Sequence, residues 1–307
     1  MRPRILLILA VLAPLLVGFG GGRDRRGTEV WHRDLIPSTG FNDLCGEPIH
    51  KGAPNFTFSA VYNPDGPDPI LLTPEFCEQN PDALMGTWAN PDFYAANRWP
   101  EPDDRVINVP YHRVPMPVDW DGRRAFIEDH SATALQPLPP TRALPNPPWT
   151  LGDFIGVEGR MQLRCRADGS AHVRIRGRGY QPNVVLTVWL VWGNHPDTGL
   201  PPVVPQPLGG IPNTVTADVN GAFRFERQLA ICPMRDEFGL SRPLAIDIAS
   251  HPDGVSYGGY PENPLATFKV TDPETGEVFL TQGLGAGVVG MDQGVFALLI
   301  DQPPPGQ

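Results

Sequence analysis

Apolar and polar residues alternate in two short runs, 161–166 and 170–176, on either side of an Ala-Asp-Gly sequence at 167–169. Alternation with a period of two is typical of a β-strand that is buried on one face. A two-residue turn would place apolar residues opposite arginines, whereas a three-residue loop pairs Cys165 with Ala171 and keeps each face uniform. Glycine at the third position of that loop accepts the positive φ it requires. The pattern therefore predicts a β-hairpin in this register.

A second pair of alternating runs lies at 213–218 and 222–226, around a Val-Asn-Gly sequence at 219–221. A three-residue loop again matches the faces, because it places Ala217 opposite Phe223. We therefore predict a second antiparallel hairpin of the same type.

The most apolar run after residue 22 is 184–192, which has apolar side chains on both faces and is predicted to be a central strand covered on both sides. Turn residues separate most of the candidate strands at short intervals. Together the predicted strands are 160–167, 170–177, 184–192, 213–218, 222–229, 244–250, 266–271, 277–280 and 295–300. These intervals predict a mainly β protein whose C-terminal domain is an antiparallel β-sandwich, Ig-like or jelly-roll-like.

The composition divides the chain into five segments. In residues 1–22, two arginines precede an apolar run of signal-peptide size, which predicts a signal peptide or an uncleaved N-terminal anchor. Residues 23–135 lack sustained periodicity and are predicted to be a loop-rich, disulfide-tied domain or a wrap around the sandwich. Six prolines make 136–148 an expected extended linker. The sandwich domain is expected at 149–301, with a disordered tail at 302–307.

The composition also limits the classes of partner. The chain is 41% hydrophobic but contains 38 prolines and 33 glycines, which favours a packed, loop-rich protein. Its formal net charge is −10, or −12 once residues 1–22, which carry two arginines, are removed. A chain this acidic repels nucleic acid and anionic membranes as a whole. We therefore expect no nucleic-acid partner, and membrane contact only through an uncleaved N-terminal segment.

All four cysteines follow residue 22, and an even number in an exported chain predicts two disulfides. Three pairings are possible. We favour Cys45–Cys77 and Cys165–Cys232, because each bond then stays within one predicted domain. No pair has CxxC spacing, so the cysteines do not indicate a zinc or redox site. The N-terminal segment, whether cleaved or kept as an anchor, predicts an extracytoplasmic location, which means secreted, periplasmic or on the cell surface.

The polar face of the first predicted hairpin is rich in positive charge. Like charges opposite one another destabilise a sheet, so an anion must offset them. The offset is either internal, from Asp218 or Glu226 on neighbouring strands, or external, from a carboxylate, sulfate or phosphate of an anionic glycan. For the external case, the predicted anion-binding residues are Arg160, Arg164, Arg166, His172, Arg174 and Arg176.

A repeated His-Pro-Asp tripeptide raises the possibility of a metal site. His195 and Asp197 follow one predicted strand, and His251 and Asp253 follow another. If both strands end on the same side of the sandwich, these four side chains converge into a metal site. The alternative is that each tripeptide begins a turn, with proline fixing φ and aspartate accepting from nearby amides.

Two motifs typical of enzymes occur in contexts that do not suit them. The GxSxG match at 254–258 is followed by prolines that forbid the required helix, and no histidine follows residue 251. The GxGxxG match at 285–290 lacks room for a dinucleotide-binding helix and its later acidic residue. No pair of acids has a spacing that assigns catalytic roles. We therefore predict no catalytic residues and no cofactor.

These patterns lead us to expect a secreted or envelope-associated β-sandwich protein of a binding or surface-structural type. The partners that suit it are an anionic glycan or another envelope protein. The alternative is a secreted, carboxylate-dependent hydrolase that acts on polysaccharide. Two acidic residues clustered in a cleft would favour the hydrolase.

Overall fold

The computed structural model identifies a mainly β protein in which the strand pairs of the described residues are antiparallel. The described residues are 22–23, 28–39, 42–43, 45, 59–68, 70, 72–87, 108, 110–111, 116–118, 148–200, 203–210, 213–235, 238–251, 267–271, 278–282 and 291–298. The predicted signal segment, nearly all of the proline-rich linker and the C-terminal tail lie outside them.

Short helices accompany the strands. These are α1 (Pro74–Gln79), α2 (Leu151–Ile155) and a single 3₁₀ turn at Pro196–Thr198. The strands are β1 Gly22–Arg23, β2 Glu29–Asp34, β3 Ser38–Thr39, β4 Asn42–Asp43, β5 Ser59–Val61, β6 Met85–Thr87, β7 Met116–Val118, β8 Glu158–Cys165, β9 Ala171–Arg178, β10 Val185–Asn194, β11 Val203–Pro207, β12 Thr214–Thr216, β13 Phe223–Leu229, β14 Ser241–His251, β15 Thr267–Thr271, β16 Val278–Gln282 and β17 Met291–Ala297. Each of the nine predicted strands overlaps one of these.

Two five-stranded sheets dominate the fold. Sheet 1 has the order β1-β2-β8-β9-β13, and sheet 2 has the order β11-β10-β14-β17, with β12 also paired to β10. A single hydrophobic core cluster contains side chains from both sheets, such as Leu163 and Ile175 from sheet 1 and Leu190 and Ile246 from sheet 2. The apolar face of sheet 1 therefore shares one core with sheet 2.

The first predicted hairpin is confirmed in its register. Strands β8 and β9 pair Cys165 with Ala171, and Arg164 lies opposite His172. The loop between them closes through Arg166, whose amide donates to the Ser170 carbonyl at 2.8 Å. Gly169 has a φ of +91°, as the third position of this loop requires.

The second predicted hairpin is wrong beyond its turn. The turn forms as expected, because the Asp218 amide donates to the Ala222 carbonyl at 2.8 Å and Gly221 has a φ of +73°. The strands then separate, and Phe223 lies opposite Gly177 of β9 instead of Ala217. Strand β12 pairs with β10 of the other sheet. The turn therefore connects two sheets, and alternation predicted the face of each strand but not its partner.

The predicted central strand is confirmed. Strand β10 has β14 on one side and both β11 and β12 on the other, and nearly all of its residues are buried. The sequence did not indicate β11, because Pro205 and Pro207 interrupt it. Proline is accommodated on an edge strand, where its missing amide breaks no ladder hydrogen bond, and β11 is at the edge of sheet 2.

Strands that precede the proline-rich segment pair with strands that follow it. Strand β2 is hydrogen-bonded to β8 over Glu29–Asp34, and β7 pairs with β15. Residues from both sides of the predicted linker therefore share two sheets. Both predicted disulfides are confirmed, with Cα–Cα distances of 6.0 Å for Cys45–Cys77 and 5.3 Å for Cys165–Cys232.

Two glycines on the inner face of sheet 1 allow aromatic rings to approach its backbone. A Cβ added to Gly177 would lie 2.2 Å from Cε1 of Phe223, and one added to Gly159 would lie 3.2 Å from Cζ of Phe296. Gly159 and Gly177 are opposite one another in β8 and β9. Rings of Phe223 and Phe296 thus take the space that side chains would occupy, which fixes this end of the sheet from the inside.

Candidate functional site

The outer face of sheet 1 follows directly from the alternation of its strands. Even-numbered residues of β8, β9 and β13 point away from the core, since their odd-numbered neighbours are the buried ones. The cross-strand register places Arg160 opposite Arg176 and Arg176 opposite Arg224. Three arginines therefore lie side by side on adjacent strands, and neighbouring strands are about 4.8 Å apart.

We name this surface the arginine face. Its arginines are Arg160, Arg164, Arg166, Arg174, Arg176, Arg178 and Arg224. Its described carboxylates are Asp34, Glu158, Asp168 and Glu226. The seven arginines and four carboxylates leave a formal excess of three positive charges, whereas the whole chain has a net charge of −10. All six predicted anion-binding residues lie on this one face.

Glu226 neutralises the middle of the arginine face. Its carboxylate accepts from Nε of Arg174, and from Nη2 of Arg224 at 2.9 Å. Nε2 of the half-buried His172 lies 3.8 Å from the same carboxylate. The hydrogen bond from Arg174 holds the pKa of Glu226 below its ordinary value, against a partial desolvation that acts in the opposite direction. The internal offset expected from Glu226 is therefore present; Asp218 instead accepts from the amides of Asn220 and Ala222 within its turn.

Two further arginines have carboxylate partners near the end of β8. Nε of Arg178 donates to Glu158 at 2.9 Å, and Nε of Arg160 lies 3.6 Å from Asp34. Both pairs are largely exposed, so solvent screening keeps each of them weak. Among the residues that the structure describes, Arg164, Arg166 and Arg176 form no ion pair of this kind, although Asp168 interacts with Arg166 electrostatically at longer range. These three are available to an external anion.

A cleft of about 530 Å³ lies at this end of the arginine face. It is lined by Asp34, Leu35, Val157, Glu158, Gly159, Arg160, Arg176, Gly177 and Arg178. Three arginines and two carboxylates therefore share one concave site. Its floor is the part of the sheet that Phe223 and Phe296 support from the inside.

Near the Cys165–Cys232 disulfide, hydrogen bonds hold the loop between β8 and β9 in place. Nη2 of Arg235 donates to the Arg166 carbonyl at 2.6 Å, and the Cys232 amide donates to the Gly169 carbonyl at 2.7 Å. The Ser170 hydroxyl and amide donate to Asp168 and hold the pKa of that carboxyl below its ordinary value. The backbone that carries Arg166 is thus held on both sides of the loop.

His195 and His251 lie at opposite ends of one strand pair, so the premise that the two histidines meet on one side is wrong. In the pairing of β10 with β14, Val185 lies opposite His251 and Asn194 lies opposite Ser241. His195 therefore leaves one end of this antiparallel pair while His251 lies at the other, about nine residues or roughly 30 Å away. Asp253 is outside the described residues, and within those residues no group of three or more potential metal ligands occurs.

His195 instead begins a turn, which was the alternative interpretation of the tripeptide. Its Nδ1 accepts from the Asp197 amide at 3.1 Å and caps the 3₁₀ turn at Pro196–Thr198. The turn ends at Gly199 with a φ of +67°. The first tripeptide thus begins a turn, as proline and a nearby acceptor favour.

The sequence pattern did not predict three charged residues of the arginine face: Arg178, Arg224 and Asp34. Arg178 lies one residue beyond the predicted end of its strand, and continuing the alternation would have included it. Arg224 was assigned to a different hairpin, so its position beside Arg176 was not expected. Asp34 was missed because β2 lies in a segment without clear periodicity.

No known protein-family model and no curated protein matches this chain. The function is therefore argued from the site. The two disulfides are suited to an oxidising, extracytoplasmic compartment. In the part of the chain that the structure describes, no helix is both long enough and apolar enough to cross a membrane.

Proposed function

We propose that the protein is a secreted or envelope-associated binding module that holds an anionic polysaccharide on its arginine face. In this proposal sheets 1 and 2 are the two layers of a β-sandwich, and the outer surface of sheet 1 is the binding surface. The arginine guanidinium suits the task, because its planar fork donates two parallel hydrogen bonds to a carboxylate or sulfate.

The charge contrast carries this proposal. A face with three excess positive charges on a chain of net charge −10 attracts an anion locally, while the rest of the molecule repels large polyanions. Arg164, Arg166 and Arg176 form no direct ion pair with a carboxylate of the described residues, and all three are exposed. Side chains about 6.8 Å apart along each of several adjacent strands suit an extended polymer.

A binding measurement on immobilised polygalacturonate, heparin and neutral dextran tests the proposal. The mature chain is expected to bind the two anionic polymers and not dextran, with affinity that falls as salt rises. R164Q/R166Q/R176Q is expected to lose at least about tenfold in affinity, since each hydrogen bond to a charged group contributes about 1.5–3 kcal/mol. This triple variant leaves Asp34, Glu158 and Glu226 with their partners.

R242Q is the matched control, because Arg242 is exposed on sheet 2 and lies outside the arginine face. It is expected to bind like the unchanged protein. Equal binding by the triple variant and the unchanged protein, or equal binding to dextran, would refute the proposal.

The cleft favours a second candidate, a hydrolase of polysaccharide, because Asp34 and Glu158 both line it. A glycosidase needs one carboxyl kept protonated by an apolar environment while the other stays ionised. Here Asp34 and Glu158 are both exposed and lie beside arginines, which favours binding over catalysis. Release of reducing ends from polygalacturonate, lost in E158Q, is the result that would support the hydrolase.

A further inference from the structure

The cleft at the end of the arginine face contains one arginine, Arg176, whose arginine neighbours each have a carboxylate partner. Arg178 donates to Glu158, Arg160 lies beside Asp34, and Arg224 donates to Glu226. Arg176 is surrounded by these pairs: it lies opposite Arg160 on one side and Arg224 on the other. Within the described residues it has no carboxylate partner of its own.

Arg176 therefore has an unbalanced electrostatic environment. Like charges on directly opposite residues repel, and Arg176 has one on each side. Its nearest carboxylates are already engaged by other guanidinium groups. An external anion at Arg176 would relieve the repulsion without disturbing any of the three existing pairs.

The cleft around Arg176 is also held in shape. Gly177 follows it, and the Phe223 ring fills the space beneath that glycine. Phe223 is itself held by the edge of Tyr180, with ring centroids 5.1 Å apart. The strand that presents Arg176 is thus supported from the core side, so a ligand meets a preorganised surface.

We propose that Arg176 is the centre of a subsite for a single sugar carboxylate, that is, one uronic acid residue of the polysaccharide. This inference rests on the proposed function and narrows its ligand. The three arginines and two carboxylates that line the cleft leave one excess positive charge, which matches one negative charge. The planar guanidinium binds a planar carboxylate through two hydrogen bonds. Asp34 and Glu158 are placed to accept hydrogen bonds from the sugar hydroxyls.

Calorimetric titration of the full mature chain with oligogalacturonate and with its methyl ester tests the subsite. The two ligands share the same sugar skeleton, but esterification removes the negative charge. We expect binding of the acid and at least tenfold weaker binding of the ester. R176Q is expected to weaken binding of the acid at least tenfold. R176K keeps the positive charge but loses the planar guanidinium, so its affinity for the acid should lie between those of the unchanged protein and R176Q.

R242Q is the matched control, because Arg242 is exposed on sheet 2 and lies outside both the cleft and the arginine face. It is expected to change affinity less than threefold, and thermal melting verifies the fold of every variant. Unchanged binding by R176Q together with a loss in R164Q would overturn the subsite but leave the proposed function intact. Equal affinity for the acid and the ester would also overturn the subsite. So would dextran sulfate binding that is tighter than oligogalacturonate binding and unaffected by R176Q. Unchanged binding even in R164Q/R166Q/R176Q would refute the proposed function itself.

Discussion

The contact between Gly177 and Phe223 makes a quantitative prediction about the stability of the fold. In G177A the new Cβ would lie 2.2 Å from Cε1 of Phe223 and 2.9 Å from its Cδ1 and Cζ. The ring is only 7% exposed and lies against Tyr180, so it cannot move aside without repacking. Overpacking of this kind costs about 1–3 kcal/mol.

A smaller gain acts in the opposite direction. Replacing glycine by alanine within a strand recovers about 0.5–1 kcal/mol of conformational entropy. We therefore expect the free energy of unfolding to fall by up to about 2.5 kcal/mol. For a protein of this size, that lowers the melting temperature by up to roughly 10 °C.

Urea denaturation with the disulfides intact, followed by tryptophan fluorescence, measures this difference. A double-mutant cycle with F223L isolates the cause, because leucine leaves room for the new methyl group. G177A should cost clearly less in the F223L background than alone. If G177A changes the stability by the same amount in both backgrounds, the proposed steric conflict is not what governs this site.

Two further predictions concern the arginine face and its disulfide. Because Arg174 holds the pKa of Glu226 low, their ion pair contributes stability above about pH 4.3 and loses it as pH falls through the folded-state pKa. At pH 7, the free energy of unfolding of E226Q should therefore be lower than that of the unchanged protein, and urea titrations should show a smaller difference at pH 3. A difference that is the same at both pH values would contradict this. Removing the bond that joins Cys165 and Cys232, 67 residues apart, should lower the unfolding free energy by about 4 kcal/mol. An unchanged urea midpoint in C165S/C232S would refute it.

Alternation predicted those features that depend on the face of a strand. The β8–β9 register follows from matching Cys165 with Ala171 across a loop that ends in glycine, because only that register keeps arginines off the core. The disulfide Cys165–Cys232 follows from keeping each bond within one predicted domain. The shared surface of the hairpin arginines is a direct consequence of the same register.

Alternation does not specify which strand becomes the neighbour. Residues 213–229 satisfy the pattern of a hairpin, yet β12 joins β10 and β13 joins β9. The Gly221 carbonyl accepts from the Tyr180 amide at 3.1 Å, and the Phe223 ring fits against Gly177, so contacts far along the chain determine where each strand pairs. Such contacts leave no periodic signal in the sequence.

The division of the arginine face into neutralised and available charges depends on this long-range pairing. The sequence identifies a basic hairpin, but β13 brings Glu226 to Arg174 and places Arg224 beside Arg176. Strand β2 brings Asp34 to Arg160 from the other edge. Without these two neighbours, Arg178 would be the one strand arginine of the hairpin with an ion-pair partner among the described residues, because it pairs with Glu158 of β8. With them, Arg176 differs from the arginines around it, and that difference is what makes a localised carboxylate subsite a stronger hypothesis than diffuse electrostatic attraction.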